Sequence, residues 1–393
     1  MRDEVYVVSG VRSPIGTMNG SLKDYHQADL GGVVYREAAN RAGITPEDVD
    51  EVIVGNVGQV AESGFLGRMV SLKAGFPKTT TAYAVNRQCG SGLEAINSAV
   101  MQIQTGNADV IVAGGTENMN QLPYYIRHAR FGYRMGHGNL EDGLLTILTW
   151  PMGPYHNGIT AENIAHKFGI SREEQDEWAY LSQTRAANAI KNGIFKDEIL
   201  PIEVRAKGKT RIFDQDEHPR IEITKEKLSK LKPAFKENGS VTPGNSSGIN
   251  DGAGAVVLMS ANALKKKGLK PWLKVRSFAV AGCDPETMGY GPVPATRKVL
   301  EKAGLTIEDI DLIELNEAFA SQTIACMREL GLPEEKVNVN GGAIALGHPI
   351  GATGAILTVK LMYEMKRRRS QFGLVTMCIG GGQGIATIFE NVQ

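Results

Sequence analysis

Two cysteines and one histidine lie in glycine-rich segments of the sequence, and these residue types can move acyl groups and protons. Cys89 lies in the segment 86–92, His348 in 347–351 and Cys378 in 378–382. A thiolate attacks a carbonyl carbon, an imidazole exchanges a proton near neutral pH, and a second thiol can also move protons. The three segments together predict acyl transfer coupled to carbon–carbon bond chemistry.

The sequence after Cys89 predicts a helix that begins close to this residue. Apolar residues follow it at helical spacing, at Leu93, Ile96, Val100 and Ile103. The unpaired N–H groups at a helix N-terminus favour an anion, so we expect them to favour the Cys89 thiolate. A lone cysteine in this position is more commonly a small buried side chain. The two further motifs favour the catalytic interpretation here.

His348 precedes a second predicted helix. Pro349 is a residue favoured at the first helical position, and a long apolar run follows over 352–365. A histidine satisfied by hydrogen bonds in a loop is the alternative interpretation. The segment 340–347 is too rich in glycine for an ordinary connection, and it matches neither a Walker pattern nor a dinucleotide-binding fingerprint.

An internal repeat relates the two helix-opening motifs. Seven residue types of the segment 36–50 recur with an offset of 261 residues, and Cys89 and His348 are separated by the similar offset of 259. The strand and glycine pattern at 110–115 is echoed at 375–380. These repeats predict two related α/β halves that bring a nucleophile and a base together at facing helix N-termini.

Further segments make the sequence resemble the thiolase family, and in particular its biosynthetic branch, along nearly its whole length. They are Asn316-Glu317-Ala318-Phe319-Ala320, Asn250-Asp251-Gly252-Ala253 and the segments around His348 and Cys378. The resemblance implies an α/β protein with a duplicated five-layered α-β-α-β-α fold and an inserted loop domain. It also implies a dimeric or tetrameric assembly, of which we expect the homotetramer.

The same resemblance implies how the chain divides into domains. An N-terminal half at 1–118 and 249–270 would carry Cys89. An inserted loop domain at 119–248 would bind coenzyme A and make oligomer contacts, since this stretch has no counterpart in the second half. A C-terminal half at 271–393 would carry Asn316, His348 and Cys378.

Catalytic roles also follow from the resemblance. His348 would take the proton of Cys89, which becomes acylated, and Cys378 would abstract an α-proton from a second acetyl-CoA. One oxyanion hole would use His348 with a water held by Asn316, and the other the backbone N–H groups of Cys89 and Gly380. The implied reaction is the reversible condensation of two acetyl-CoA to acetoacetyl-CoA and coenzyme A, without a metal or a separate cofactor.

The resemblance implies a set of substrate-binding residues as well. These are Ser247, Arg220, Phe235, His156, Met288, Phe319 and Gly380. Arg220 would face the nucleotide end of coenzyme A, because a guanidinium suits a phosphate or a stacked adenine, but an ordinary surface arginine is an equally good interpretation. Asn157 stands where the biosynthetic branch commonly has methionine, which leaves the acyl-chain range open.

Composition narrows the choice of partners. The 393 residues include 43 Lys and Arg and 43 Asp and Glu, a balance that predicts no nucleic-acid or membrane surface. The chain runs into an apparent strand at 5–8 without a signal segment, and no apolar stretch is long enough to span a bilayer, which predicts a cytoplasmic protein. The four cysteines have no zinc spacing and are too few for a disulfide framework.

Three alternative functions stay open at this point. A degradative 3-ketoacyl-CoA thiolase shares the catalytic set and differs in the length of its acyl pocket. A β-ketoacyl synthase would lack Cys378 in this setting, and a non-catalytic acyl-CoA-binding subunit would not need two thiols. The sequence also leaves open the direction of the reaction, the partner proteins and whether a Cys89–Cys378 disulfide forms.

Overall fold

The computed structural model describes residues 4–206 and 208–393. The strands in this part of the chain are β1 (Val5–Arg12), β2 (Gly16–Thr17), β3 (Glu51–Gly55), β4 (Thr81–Val85), β5 (Val110–Asn118), β6 (Tyr124–Ile126), β7 (Leu140–Asp142), β8 (Thr149–Trp150), β9 (Tyr155–His156), β10 (Ile202–Ala206), β11 (Lys209–Phe213), β12 (Asn250–Ser260), β13 (Leu273–Gly282), β14 (Leu312–Leu315), β15 (Phe372–Ile379) and β16 (Gln383–Asn391). The helices are α1 (Gln27–Ala42), α2 (Leu66–Lys73), α3 (Ser91–Gln104), α4 (Gly143–Ile147), α5 (Asn157–Lys167), α6 (Arg172–Lys191), α7 (Lys225–Ser229), α8 (Ala261–Lys267), α9 (Pro292–Ala303), α10 (Ala320–Leu330), α11 (Ala343–Leu346) and α12 (Thr353–Arg368).

Two mixed sheets with a related strand pattern form the two halves, and strand pairing joins them into one ten-stranded sheet. The first has the order β1-β12-β5-β3-β4 and the second the order β13-β16-β15-β14. Each contains two antiparallel pairs followed by a parallel pair, and the first has one further parallel pair, β3 with β4. The sheets meet where β1 pairs with β13, through Tyr6 with Lys274 and Val7 with Leu273. This pattern agrees with the duplication predicted from the sequence repeat.

The repeated segment has the same local structure in both halves. Helix α1 ends at Gly43 (φ 71°) and α9 ends at Gly304 (φ 67°), and this left-handed conformation is one that glycine adopts without a steric cost. In both halves the N–H of a threonine then donates to the carboxylate of the aspartate three residues later. The repeat therefore encodes a helix end and a turn that leads into a strand.

The register of the two parallel ladders corrects one expectation. The carboxylate of Asp50 accepts the N–H of Val110 at 2.9 Å, and that of Asp311 accepts the N–H of Phe372 at 3.0 Å. Val110 therefore corresponds to Phe372, and the predicted echo at 375–380 is wrong by three residues. Strands β5 and β15 are buried along almost their whole length, so their sequences lack the alternation that would fix the register.

The helices and sheets form five layers. Helices α1 and α2 cover the outer face of the first sheet, and α9 covers the outer face of the second with α10 against it. Helices α3 and α12 pack against each other between the two sheets. Helix α12 is surrounded by protein and buried over most of its length, and its buried residues include the polar Thr358 and Lys360. The predicted five-layered α/β architecture is thus confirmed.

The start of α12 differs from the expectation that Pro349 opens this helix. The helix begins at Thr353, and the residues before it form turns in which the carbonyl of Pro349 accepts the N–H of Thr353 at 2.9 Å. The N–H of Gly351 points instead to the carboxylate of Glu117, at 2.7 Å. This long-range contact with the first half delays the helix, and local sequence carries no sign of it.

The stretch between β5 and β12 consists of smaller elements. It contains the two-stranded ladders β6–β7, β8–β9 and β10–β11 together with helices α4 to α7. Ser171 and Glu174 form a capping box that starts α6. The assignment of 119–248 as an inserted domain stays a prediction. Within the described ranges, none of the helices has the length and apolarity that crossing a bilayer requires.

Candidate active site

Cys89 lies on a tight turn between β4 and α3. The preceding residue, Gln88, has a φ of 46°, a conformation that non-glycine residues adopt only at a cost of about 1 kcal/mol. The hydroxyl of Ser91 stabilises this turn, since it accepts the N–H of Arg87 at 2.9 Å and donates to the carbonyl of Gln88 at 2.6 Å. The turn places the Cys89 thiol just ahead of the N-terminus of α3, as the sequence predicts.

The electrostatics of Cys89 differ from the expectation of a stabilised thiolate. Burial raises the pKa of this thiol to about 11, although hydrogen bonds from the backbone N–H groups of Gly380 and of Cys89 itself act in the opposite direction. Desolvation therefore outweighs the helix N-terminus in the free protein. The proton stays on sulfur until a neighbouring base takes it.

His348 is buried in the loop before α12, with three hydrogen-bonding neighbours. Its backbone N–H donates to Oδ1 of Asn250 at 2.9 Å, and its ring Nδ1 lies 2.6 Å from Oγ1 of Thr353. Its Nε2 lies 3.4 Å from Nδ2 of Asn316. Burial lowers the pKa of the imidazole to about 4, so the ring is neutral at physiological pH and able to accept a proton.

Asn316 follows directly after β14 and is fully buried. Its backbone N–H donates to the carbonyl of Thr376 at 3.0 Å, which extends the parallel ladder by one residue. Its side-chain Oδ1 is buried, and none of the described residues donates a hydrogen bond to it. A buried oxygen without a partner is costly, so it marks a place where a water or a substrate group fits.

Cys378 lies near the end of β15 and is fully buried. It packs in one apolar cluster with Met288, Ala318 and Phe319. Burial raises the pKa of this thiol well above its ordinary value, and the nearby Cys89 adds to the rise. If the proton of Cys378 is removed, the resulting thiolate is therefore a strong base. Both cysteines are free thiols in this structure.

Two buried glutamates hold the loops that surround these residues. Glu117 accepts hydrogen bonds from backbone N–H groups in the loop after β3 and from the N–H of Gly351, three residues after His348. Glu317 accepts hydrogen bonds from Trp178, Ser182 and the backbone N–H of Ile344. Each carboxylate ties together segments that are far apart in sequence, so both support the geometry of the site.

A cavity of about 720 Å³ leads from the surface to Cys89 and His348. Most of the predicted substrate-binding residues line it, namely His156, Arg220, Phe235, Ser247, Met288 and Phe319. Asn157 also lines the cavity, and its amide adjoins Gly380, where a Cβ would lie 3.7 Å from its Nδ2. Asn316, Cys378 and Gly380 contact residues of this lining. Asn316 contacts His348, Cys378 packs with Met288, and the backbone N–H of Gly380 hydrogen-bonds the sulfur of Cys89.

Stacked rings form one wall of the cavity. The imidazole of His156 stacks on Phe235 at a centroid distance of 4.8 Å, and Phe235 meets Phe319 edge to face at 6.1 Å. A Cβ at Gly158 would lie 2.2 Å from the ring of Phe235, so only glycine allows this close approach. The wall is flat and apolar, and it suits an extended chain with few charges.

Arg220 lies at the exposed mouth of the cavity on a loop that is held from beneath. The backbone N–H of Arg220 donates to Oε1 of Gln183 at 2.8 Å. The neighbouring Asp216 is buried and paired with Arg12 on β1, with a nitrogen–oxygen distance of 2.8 Å. The base of the loop is therefore rigid, while the guanidinium of Arg220 faces solvent.

Sequence reasoning missed several residues that line the cavity. His218 is largely buried there, and burial lowers its pKa to about 4. Most of the other missed residues are apolar and include Met119, Leu144, Leu148, Ala318 and Ile350, while Thr17, Glu217 and Ser246 are polar. Because His218 lies two residues before the predicted ligand-binding Arg220, its place in the cavity could have been predicted from the sequence. The apolar residues are scattered along the chain and have no pattern that indicates a binding site. In the described residues, no group of three His, Cys, Asp or Glu side chains is arranged to hold a metal ion.

Comparison with known proteins gives consistent results over the whole chain. The thiolase N-terminal domain family matches residues 5–262 and the thiolase C-terminal domain family matches residues 269–391. An acetyl-CoA acetyltransferase of Syntrophomonas wolfei is 53% identical over 99% of this chain and 100% of its own length. The acetyl-CoA acetyltransferase of Bacillus anthracis has a similar crystal structure, with a TM-score of 0.98 and 48% identity over 100% of this chain and 99% of that one.

A further solved structure contains a ligand. It is the human mitochondrial 3-ketoacyl-CoA thiolase in complex with CoA, which is 45% identical to this chain, with a TM-score of 0.97. The match covers 100% of this chain and 98% of the human one. The same fold is thus shared by relatives whose names refer to different acyl groups, acetyl in the bacterial protein and 3-ketoacyl in the human one.

Proposed function

The chain belongs to the thiolase family, and on this premise we propose that it is an acetyl-CoA C-acetyltransferase. It reversibly condenses two molecules of acetyl-CoA to acetoacetyl-CoA and coenzyme A. The observation that carries the proposal is that Cys89 and the neutral His348 line one cavity, that Asn316 contacts His348, and that Cys378 packs with Met288 of the same lining. The acetyltransferase relatives of about 50% identity support acetyl as the acyl group.

The first half-reaction transfers an acetyl group to Cys89. Nε2 of His348 takes the proton of Cys89, and the thiolate attacks the thioester carbon of acetyl-CoA. The backbone N–H groups of Cys89 and Gly380, which hydrogen-bond the sulfur in the free protein, stabilise the negative charge on the thioester oxygen. The carbon–sulfur bond to coenzyme A breaks, and the departing thiolate takes the proton of Cys378.

The second half-reaction forms the carbon–carbon bond. The Cys378 thiolate removes an α-proton from a second acetyl-CoA, and its high pKa makes it strong enough as a base for this weak carbon acid. The protonated Nε2 of His348, with a water bound to Asn316, stabilises the enolate oxygen. The carbanion attacks acetyl-Cys89, and the Cys89 thiolate leaves and recovers its proton from His348. All protons and charges are then back at their starting positions.

The proposal includes how coenzyme A binds. Phe235 and Ser247 would line the pantetheine arm and Arg220 would meet the nucleotide end. The flat apolar wall and the exposed guanidinium at the mouth support this orientation. No metal or organic cofactor enters the proposed reaction, because two thiols and one imidazole perform every transfer.

We further propose that the protein is a homotetramer in the cytoplasm. The strand β4 is an edge of the first sheet, with exposed and half-exposed residues, and an unpaired edge favours pairing with another chain. Large apolar side chains are exposed over 124–152, among them Phe131, Met135 and Met152. Light scattering after size-exclusion chromatography tests the tetramer, and cell fractionation tests the location.

A thiolysis assay tests the proposed function. Purified protein is mixed with acetoacetyl-CoA and coenzyme A, and the loss of acetoacetyl-CoA is followed together with the formation of acetyl-CoA. The second candidate, a 3-ketoacyl-CoA thiolase for longer chains, is favoured by the similarity to the human enzyme and by the apolar cavity. A larger kcat/KM for six-carbon or longer substrates than for acetoacetyl-CoA would support that candidate, and no turnover of any of them would contradict both.

A further inference from the structure

Thr353 is the first residue of α12 and is buried beside the ring of His348. Its Oγ1 lies 2.6 Å from Nδ1 of His348 and 2.9 Å from the carbonyl oxygen of Pro349. The hydroxyl bond to the carbonyl four residues earlier is a common arrangement for threonine in helices. The short distance to the imidazole gives Thr353 a second role, which concerns where the histidine carries its proton.

A hydroxyl has one proton and two acceptor lone pairs. If the Thr353 hydroxyl donates to the carbonyl of Pro349, Oγ1 of Thr353 accepts from Nδ1 of His348, and the single proton of the neutral imidazole is then on Nδ1. If the hydroxyl turns toward Nδ1 instead, the imidazole carries its proton on Nε2. The two arrangements differ chemically, because only the first leaves a lone pair on Nε2.

The opposite side of the ring supports the first arrangement. Nδ2 of Asn316 lies 3.4 Å from Nε2 of His348 and is a donor, so it matches a lone pair at Nε2 and opposes a proton there. The second arrangement would require the Thr353 hydroxyl and the Asn316 amide to reverse together. The carbonyl of Pro349 and the amide of Asn316 thus favour the same tautomer from two sides of the ring.

We propose that Thr353 is a positioning residue that keeps the proton of His348 on Nδ1. Nε2 then keeps its lone pair, which faces Asn316 across a long 3.4 Å contact in the free protein and takes the proton of Cys89 in the reaction. The inference rests on the proposed function for the role of Nε2 as the base of acyl transfer. Because the neutral ring has only this one proton, losing the Thr353 acceptor would allow the tautomer that cannot act as a base at Nε2. A general base contributes about 10²–10⁴-fold to a rate, which sets the scale of the effect.

The chain offers a matched control on the same helix. Thr358 is also fully buried, and its hydroxyl donates to the carbonyl of Gly354 at 2.8 Å, the same bond to the residue four positions earlier. Thr353→Val and Thr358→Val each remove one hydroxyl and one such bond from α12. Only the first removes the acceptor beside His348, so a difference between the two variants reports on the imidazole and not on the helix.

Two rates are measured in the full-length protein. One is the acetylation of Cys89 by acetyl-CoA, followed by mass spectrometry, and the other is the alkylation of Cys89 by iodoacetamide without any substrate. We expect Thr353→Val to slow both rates about 100-fold, with a much smaller change in the acetyl-CoA concentration for half-saturation. Thr353→Ser, which keeps the hydroxyl, should restore both rates to within about threefold of wild type, and Thr358→Val should match wild type.

Three results would overturn the inference: a Thr353→Val protein that reacts like wild type, an equal loss in Thr358→Val, or a Thr353→Ser protein as slow as Thr353→Val. If Thr353→Val does not fold, nitrogen-15 NMR of histidine-labelled wild type decides. A protonated Nε2 on His348, assigned with a His348→Asn variant, would contradict the inference, and an unprotonated Nε2 would support it. A wild-type protein that is alkylated but never acetylated would contradict the proposed function and leave the test of Thr353 intact.

Discussion

Asn56 and Asn316 occupy the same place in the two halves of the fold but make different contacts. Each follows directly after a parallel strand, β3 or β14, and donates its backbone N–H to a carbonyl of a neighbouring parallel strand, β4 for Asn56 and β15 for Asn316. The amide of Asn56 is held by Glu117 at 2.9 Å and by the carbonyl of Thr116 at 3.0 Å. The amide of Asn316 contacts His348, and its buried oxygen has no hydrogen-bond partner among the residues that the structure describes. Asn56 therefore stabilises the fold, whereas the side chain of Asn316 is free to bind a water or a substrate group.

The first prediction separates these two roles. Asn316→Ala should lower kcat about 10²–10³-fold, the cost of removing one oxyanion-hole group, with little change in the free energy of unfolding. Asn56→Ala should cost about 1–3 kcal/mol of stability, because the buried Glu117 loses a donor. Steady-state kinetics and urea denaturation of both variants measure the two effects. If Asn316→Ala lowers stability more than Asn56→Ala does, the division of roles is wrong.

A second prediction concerns the two thiols. Cys89→Ser should form no acetyl-enzyme, because an alcohol is far harder to deprotonate than a thiol. Cys378→Ser should still be acetylated, but it should not exchange the α-protons of acetyl-CoA with deuterium from the solvent. Mass spectrometry after brief exposure to acetyl-CoA and NMR of the recovered substrate measure the two steps. An acetylated Cys89→Ser protein, or an unacetylated Cys378→Ser protein, would reverse the roles assigned here.

A third prediction follows from the position of Asn157 on the cavity lining beside Gly380. Replacing this amide with the longer apolar side chain in Asn157→Met should change the ratio of kcat/KM for four-carbon and six-carbon 3-ketoacyl substrates by about 10–200-fold. The rate of alkylation of Cys89 in the absence of substrate serves as a control and should stay the same. Equal substrate ratios in the two proteins would show that Asn157 does not contact the acyl chain.

The fourth prediction is a pH dependence of stability. His218 has a folded-state pKa of about 4, lowered by burial and then by Arg220, against an ordinary value of about 6.5. Between these values the unfolded chain binds more protons, so the free energy of unfolding falls as the pH falls through this window. From pH 7 to pH 5 this single group should cost about 2 kcal/mol.

The variant His218→Asn isolates this contribution. Urea denaturation of both proteins at pH 7 and pH 5 should show a smaller loss in the variant, because other titrating groups, including His348 and Glu117, are common to both proteins. An identical loss in the two proteins would mean that His218 titrates normally in the folded state.

Much of the fold could be predicted because its signals are local. The helix ends at Gly43 and Gly304, the turns that follow them and the helix after Cys89 all depend on residues within a few positions. The repeat then indicates that Cys89 and His348 belong to corresponding motifs, and the structure does bring both to one cavity. The catalytic roles themselves stay predictions until the variants are measured.

What could not be predicted depends on contacts between distant segments. The late start of α12 requires Glu117 to bind the N–H of Gly351, a residue 234 positions away. The high pKa of Cys89 results from burial by the assembled protein and opposes the local effect of the helix N-terminus. The position of His218 depends on the loop that Arg12 and Asp216 hold in place. A single sequence contains these residues but not their proximity.

The short ladder between β1 and β13 affects how the protein should lose activity on partial denaturation. Within the described part of the chain, two residue pairs join the sheets along this edge, and the packing of α3 against α12 joins the halves elsewhere. Cys89 and His348 belong to different halves. A slide of one half by a fraction of an ångström would separate the thiol from its base while every helix and strand stays intact. Catalytic activity is therefore more sensitive to the relative position of the two halves than spectroscopic signals of secondary structure are. Under mild heat or denaturant, we expect kcat to fall before these signals change.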